Sequence, residues 1–337
     1  MTEEALGWGG ELWAAADLLT PMAIRVAATL RIADHIAAGT RTTAALAQAV
    51  DADEDALGRL LRHLVTAKVL TRPDLDTFAL ADLGERLRDD HPDGIRRWID
   101  LDGAIGRADT CFVHLLHTVR TGEPAYPRQF GRGFWADLSA NAELSESFDS
   151  LMGARLVAYA PAIAQAYPWG ALGHLIDVGG GNGALLIAIL RAHPGLRGTV
   201  LDLPGAVTRA AAAIAEADLT ARADTVAASA FDALPAGAGG YLVSSVLHDW
   251  PDEDAAHILR RCAEAAGETG TVLVVEEAAD DIQGGTRDTI GDLTMLTYVR
   301  GRNRTLGQLR ELAASVGLAP GTVTEVGRRS IIELRRA

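Results

Sequence analysis

Three short stretches carry residues able to do chemistry together: Asp177-Val178-Gly179-Gly180-Gly181-Asn182-Gly183, Leu247-His248-Asp249-Trp250-Pro251-Asp252, and the acid pair Glu276-Glu277. The first follows a short apolar run, residues 174–178, and leads directly into an apolar helical stretch. Glycines at such a turn let the backbone bend sharply and approach a ligand with no Cβ in the way. Gly179, Gly181 and Ala184 also satisfy the GxGxx[G/A] spacing of a dinucleotide loop, with Asp202 near the place of a ribose-binding acid. Asp177 argues for a different ligand. A pyrophosphate at the helix N-terminus would be repelled by a carboxylate just before the glycines. A ligand carrying an ammonium and a sulfonium would be attracted, which favours S-adenosylmethionine over a nicotinamide cofactor. A plain loop cap is the alternative role for Asp177.

The fourth of the alternating apolar runs leads into His248. In a doubly wound sheet the carboxyl ends of the strands form the ligand crevice, so His248 falls at its mouth. An imidazole, with an ordinary pKa of about 6.5, can accept a proton near neutrality. Methyl transfer from a sulfonium to oxygen needs alignment and removal of a proton from a hydroxyl such as a phenol, of pKa about 10. The next run ends in Glu276, placed to hold the other ring nitrogen and fix the tautomer. Asp252, Glu253 and Asp254 follow Pro251 and read as helix-initiating acids. Asp249 reads equally as a cap or as part of the site.

These stretches need a scaffold. From about residue 173, strands at 174–178, 199–203, 224–228, 241–247 and 271–276 alternate with helices, which implies a parallel doubly wound sheet. Two last strands, 322–326 and 330–334, are separated by Gly327-Arg328-Arg329 and read as an antiparallel hairpin at the edge. Residues 1–95 read as a helix over 22–38, two shorter helices and a β-wing around Pro73-Asp74, which is the winged-helix pattern. Residues 96–170 read as helices with closely spaced aromatics, which serve either as core or as the lining of a pocket for a flat substrate.

Composition narrows the partners. The 337-residue chain carries a formal charge of −14. Residues 1–95 hold sixteen acidic against nine basic residues, so Arg59, Arg62, His63 and Lys68 on the third helix do not make a nucleic-acid reader. No run approaches the roughly 18–20 apolar residues that cross a bilayer. The acidic start lacks a secretory signal's basic and apolar regions, so a cytoplasmic location is expected. Cys111 and Cys262 have no partner motif, and the histidines form no metal-binding cluster.

With DVGGGNG, LDLP and LHDWPDED in this order and spacing, the whole chain resembles the caffeic-acid-type O-methyltransferases of plants and their bacterial relatives acting on polyketides and other secondary metabolites. The resemblance implies an α/β fold: a Rossmann-like class I methyltransferase domain at 171–337, with a parallel sheet and an antiparallel terminal hairpin. It is preceded by an α-helical winged-helix dimerisation domain at 1–95 and a helical linker at 96–170. It also implies a homodimer and metal-independent methyl transfer with S-adenosylhomocysteine as product. By position, Asp177, Gly179, Gly181 and Gly183 would hold the methionine part of the cofactor, Asp202 the ribose, and Ser229, Ala230 and Phe231 the adenine. Leu203, Ser244 and Trp250 complete the cofactor set. His248 matches the base, and Glu276 and Asn303 its flanking residues. Trp135, Met152, Asp249, Asp292, Met295 and Leu296 would face a small hydroxylated acceptor. Two departures stand out: Asn303 replaces a family acid, and Ser229 an aspartate. They leave room for a relative diverged to decarboxylation or hydroxylation, and the winged helix leaves room for a non-catalytic regulator sensing S-adenosylmethionine.

Overall fold

The computed structural model describes residues 10–278 and 288–337. The acidic start, residues 1–9, lies outside the described residues. The chain divides into two compact units, residues 1–110 and 111–337.

In the first unit, helices Leu19–Thr29, Ile32–Ala37, Thr43–Ala49 and Glu54–Thr66 precede the antiparallel strands β1 (Leu70–Thr71) and β2 (Ala79–Leu80). The Thr42 and Asp53 side chains accept from the amides of Ala45 and Ala56, satisfying free donors at two helix starts. Leu57, Leu61 and Leu64 form the buried stripe of the helix Glu54–Thr66, and Leu60 packs beside it. The single helix expected over 22–38 is two helices, because Arg31 turns into the left-handed region at φ 52°. That break turns Ile32 and Ile36 inward beside Leu46 and Leu61.

Among its described residues the second unit holds seven strands: β3 (His174–Val178), β4 (Arg197–Asp202), β5 (Ala223–Ala227), β6 (Gly240–Ser244), β7 (Thr271–Glu276), β8 (Leu318–Val326) and β9 (Arg329–Arg336). Their order is β5-β4-β3-β6-β7-β9-β8. The first five are mutually parallel, and β9 runs antiparallel to both β7 and β8. This is the class I methyltransferase sheet. The strands β3, β6 and β7 are buried almost end to end, as the continuous apolar runs of a sheet covered on both faces require. One face packs on the helix Asp252–Ala266, the other on helices Ala160–Ala166 and Ala184–Ala192. The order reverses between β3 and β6, so the crevice opens beside the Asp177 loop and the segment after β6.

Candidate active site

The glycine loop leaves β3 as the spacing requires. Gly179, Gly181 and Gly183 all have positive φ, at 73°, 57° and 77°. A Cβ on Gly179 would stand 2.8 Å from Val246 Cγ2, and one on Gly180 would stand 2.8 Å from Asp177 Oδ2. Asp202, at the end of β4, accepts from Gly181 N at 2.8 Å and from Leu203 N at 2.6 Å, tying the second strand to the loop. Asp177 is 2% exposed. Burial, with the nearby Asp202 charge, pushes its carboxyl up to about 7. A desolvated carboxyl group beside a loop made almost entirely of glycine is a cation-seeking cradle, which fits an ammonium-bearing cofactor and disfavours a pyrophosphate. Ser244 Oγ, at the end of β6, is buried without a hydrogen-bond partner among the described residues, as is Trp135 Nε1. Unsatisfied polar atoms at a crevice fit a ligand that supplies their partners.

The adenine end departs from expectation in detail. Ser229 Oγ accepts from Phe231 N at 3.2 Å, and Asp232 Oδ2 accepts from Ser229 N at 3.2 Å. An acid therefore stands three residues beyond the position where the family aspartate is missing. Phe231 meets Trp250 edge-on at 4.8 Å between ring centroids, and Trp250 stacks with Trp135 at 6.5 Å. The linker aromatics Phe134, Phe148 and Tyr126 continue this array, joined by Tyr298 of the helix Thr289–Val299. Met152 lies on the helix Ala142–Val157, which meets the glycine loop where a Cβ on Gly153 would come 2.5 Å from Asn182 Nδ2.

His248 does not continue β6. The strand ends at Ser244, Ser245 reverses at φ 54°, and Leu247–Asp249 forms a single 3₁₀ turn. The expected strand at 241–247 is therefore shorter at its carboxyl end. His248 Nδ1 lies 2.7 Å from Glu276 Oε2, while Glu276 Oε1 accepts from Val246 N and Leu247 N at 3.1 and 3.0 Å. One buried carboxylate thus holds both the ring and the turn that carries it. Nε2 faces Asp249 Oδ1 at 3.3 Å. Burial by itself lowers the imidazole pKa, but Glu276 and then Asp249 outweigh it and raise it to about 9. Burial also lifts the Asp249 carboxyl, to about 7, against the pull of His248. The two carboxylates thus favour the imidazolium, and His248 acts as a base only in its uncharged form.

Asn303, expected beside the base, lines the same small cavity as His248 and Glu276. Its bonds run elsewhere: the backbone N donates to Asp292 Oδ1 at 2.8 Å, and Nδ2 to the Asp288 carbonyl at 3.3 Å. No hydrogen bond joins Asn303 to the imidazole among the described residues. Asp292, expected to face the acceptor, is engaged by that backbone bond. Met295 and Leu296 lie on the same helix, Thr289–Val299, and the Met295 carbonyl accepts from Gly301 N at 3.0 Å.

The sequence reading overlooked Arg304. Its guanidinium is buried and donates to the Leu247 carbonyl at 2.6 Å, the Trp250 carbonyl at 2.8 Å and Asp252 Oδ1 at 2.9 Å. It brackets the His248 turn on both sides. An arginine next to Asn303 was visible in the sequence, but its direction was not. Also overlooked were Asp149 and Arg209, an ion pair joining the helices Ala142–Val157 and Pro204–Glu216 beside Asp202. Among the described residues no group of His, Cys, Asp and Glu could hold a metal ion.

Residues 112–319 match the O-methyltransferase domain family, and residues 13–89 match the O-methyltransferase dimerisation domain family. The chain is 53% identical over 323 residues to 2,7-dihydroxy-5-methyl-1-naphthoate 7-O-methyltransferase of Streptomyces carzinostaticus, covering 96% of each chain. It is 45% identical to aclacinomycin 10-hydroxylase of Streptomyces purpurascens, over 90% of this chain and 82% of that one. Among solved structures, an O-methyltransferase from neocarzinostatin biosynthesis, in complex with S-adenosylmethionine and 2-hydroxy-5-methyl naphthoic acid, superposes with a TM-score of 0.92. The identity is 52%, covering 97% of this chain and 98% of that one.

Proposed function

Because the chain belongs to the O-methyltransferase family, as an S-adenosylmethionine-dependent enzyme, we propose that it methylates a hydroxyl of a flat aromatic acceptor of the polyketide type. A hydroxylated naphthoate is the acceptor chemistry nearest its relatives. The observation that carries the catalytic reading is the 2.7 Å pairing of His248 with Glu276 at the mouth of the crevice. When bound, S-adenosylmethionine supplies a methyl group on a positively charged sulfur. Asp177 and the backbone of Gly179, Gly181 and Gly183 hold its methionine end. Asp202 with Leu203 takes the ribose, and Ser229, Ala230, Phe231, Ser244 and Trp250 the remainder.

His248, once neutral, accepts the acceptor's hydroxyl proton at Nε2, and Glu276 holds the Nδ1 proton and stabilises the imidazolium that forms. Asp249 faces the same nitrogen and gives way to the acceptor's oxygen. Trp135, Met152, Asp292, Met295 and Leu296 flank the acceptor, with Asn303 setting the loop behind the base. The helical residues 96–170 supply part of that pocket. Residues 1–95 dimerise rather than bind nucleic acid, which makes the enzyme a homodimer. Trp13, Leu18 and Leu19 are exposed apolar residues there, suited to cover by a second copy. No helix among the described residues is long and apolar enough to cross a membrane, in keeping with a cytoplasmic enzyme.

The test is calorimetric binding of S-adenosylmethionine and S-adenosylhomocysteine, with NADH as control, followed by methyl transfer to dihydroxynaphthoates. Binding of both methionine-derived ligands, and a methylated product lost in His248→Ala, is expected. Failure of either ligand to bind overturns the reading. The 45% identity to a hydroxylase supports one alternative, conversion of the acceptor without methylation. Mass analysis of the product separates the two, since methylation adds one methyl group and hydroxylation one oxygen. Sedimentation at micromolar concentration tests the dimer.

A further inference from the structure

Arg329 begins β9, next to Ser330, whose register partner across the sheet is Glu276. It is 5% exposed. Nη1 donates to Ser245 Oγ at 2.7 Å, and the guanidinium carbon stands 3.9 Å above the centre of the Tyr159 ring. Its Nη2 stands 3.6 Å from Glu277 Oε1. That carboxylate is shared: Arg155 reaches the same oxygen at 2.9 Å, and Arg328 the other at 3.5 Å. The Arg329 charge is thus stripped of water, only partly matched by its neighbours, and fixed where β6 turns toward His248. We propose that Arg329 is a positioning residue for the His248–Glu276 pair, locking the reversed backbone at Ser245 and favouring the uncharged, proton-accepting imidazole.

The inference rests on the reading of His248 as the base. The groups that set its charge come from several elements. Asp249 on its own turn and Glu276 at the end of β7 favour the imidazolium. Glu277, one residue on, is occupied by the arginines. Arg302 and Arg304, on the segment beside the turn, are each paired with Asp252. Arg329 at the start of β9 opposes the imidazolium and also reaches Glu276 electrostatically. Two flanking carboxylates raise the imidazole's hold on its proton, and Arg329 limits that rise. A buried cation near the pair eases that proton away without breaking the bond that orients the ring. Ser245 needs the same anchor, since a non-glycine residue at φ 54° is held there only by its surroundings.

The experiment is the pH dependence of kcat for the full-length enzyme, with S-adenosylmethionine and a dihydroxynaphthoate as substrates. In Arg329→Met the rising alkaline limb is expected about half a pH unit or more higher than in wild type, with S-adenosylhomocysteine affinity unchanged. Arg329→Lys, which keeps the charge, is expected to restore the wild-type limb. Arg329→Gln keeps a donor for Ser245 and serves as the neutral variant if the methionine protein does not fold. A limb in the folded neutral variant that stays in place or moves lower overturns the proposal. His248→Ala at wild-type rate overturns instead the base reading on which it rests.

Discussion

Glu276, the last residue of β7, reaches across the crevice to place one carboxylate oxygen 2.7 Å from His248 Nδ1, twenty-eight residues earlier in the chain. Its other oxygen holds the amides of Val246 and Leu247, so orientation of the ring and shape of the turn depend on one side chain. In Glu276→Gln, the amide oxygen can keep the backbone bonds while the negative charge disappears. The imidazole pKa then falls from about 9 toward its ordinary value, because the imidazolium loses its main stabiliser. The alkaline limb of kcat is expected to move to lower pH, opposite to Arg329→Met, with the plateau rate down about 100-fold from lost orientation. A pH–rate series on the two variants checks both signs.

Asp177 links cofactor binding to pH and stability. Its carboxyl ionises near 3.8 in the unfolded chain and near 7 in the folded protein, because burial penalises the charge. A raised carboxyl pKa reverses the common aspartate case. Its contribution to folding is most favourable below pH 4 and declines as pH rises to about 7. Without cofactor, Asp177→Asn is expected to melt roughly 2–6 °C above wild type at pH 8, with the gap narrowing to less than half at pH 5 and closing below about pH 4. The same variant should lose most of its stabilisation by S-adenosylmethionine, and thermal melts with and without the ligand at both pH values measure this.

Gly179→Ala is expected to weaken S-adenosylhomocysteine binding at least about tenfold, because a left-handed alanine costs about 1–2 kcal/mol. The added Cβ also meets Val246, two residues before His248, so kcat should fall with affinity. Titration calorimetry and steady-state kinetics on one preparation show whether both change.

Arg304→Met removes the donors that bracket the catalytic turn. Two buried carbonyls, of Leu247 and Trp250, lose their partner. The expected loss is about 2–4 kcal/mol of stability, read by urea denaturation. The kcat is expected to fall about tenfold or more with little change in cofactor affinity, because the glycine loop is on a different strand. Unchanged kcat in a folded variant would reduce Arg304 to a purely structural clamp.

Much of this protein was legible along the chain. The apolar runs ending in Asp177 and Glu276 were readable as buried parallel strands because such strands are covered on both faces and need no alternation. Glycine loops are readable for a related reason: only glycine holds three positive φ angles within five residues without strain. The acid before the loop and the histidine after the fourth strand then inherit their positions from the topology. That is why His248 and Glu276 could be paired from sequence before any distance was known.

What local pattern could not decide was direction and charge. The strand expected to run through Leu247 stops at Ser244, because Arg329 and Glu276, both distant in sequence, hold a reversal that propensity disfavours. Asn303 occupies the expected position but directs its bonds to Asp288 and Asp292, since the turn it sits on faces that helix. An isolated imidazole, with an ordinary pKa of about 6.5, can accept a proton near neutrality. In the folded protein its pKa is raised, because proton affinity is set by the charges of Glu276, Asp249 and Arg329, gathered from three separate segments. Spacing along the chain determines which residues reach the crevice. Only the tertiary structure gathers Glu276, Asp249 and Arg329 near one ring, with Arg304 clamping the turn that carries it, and so decides when it can act as a base.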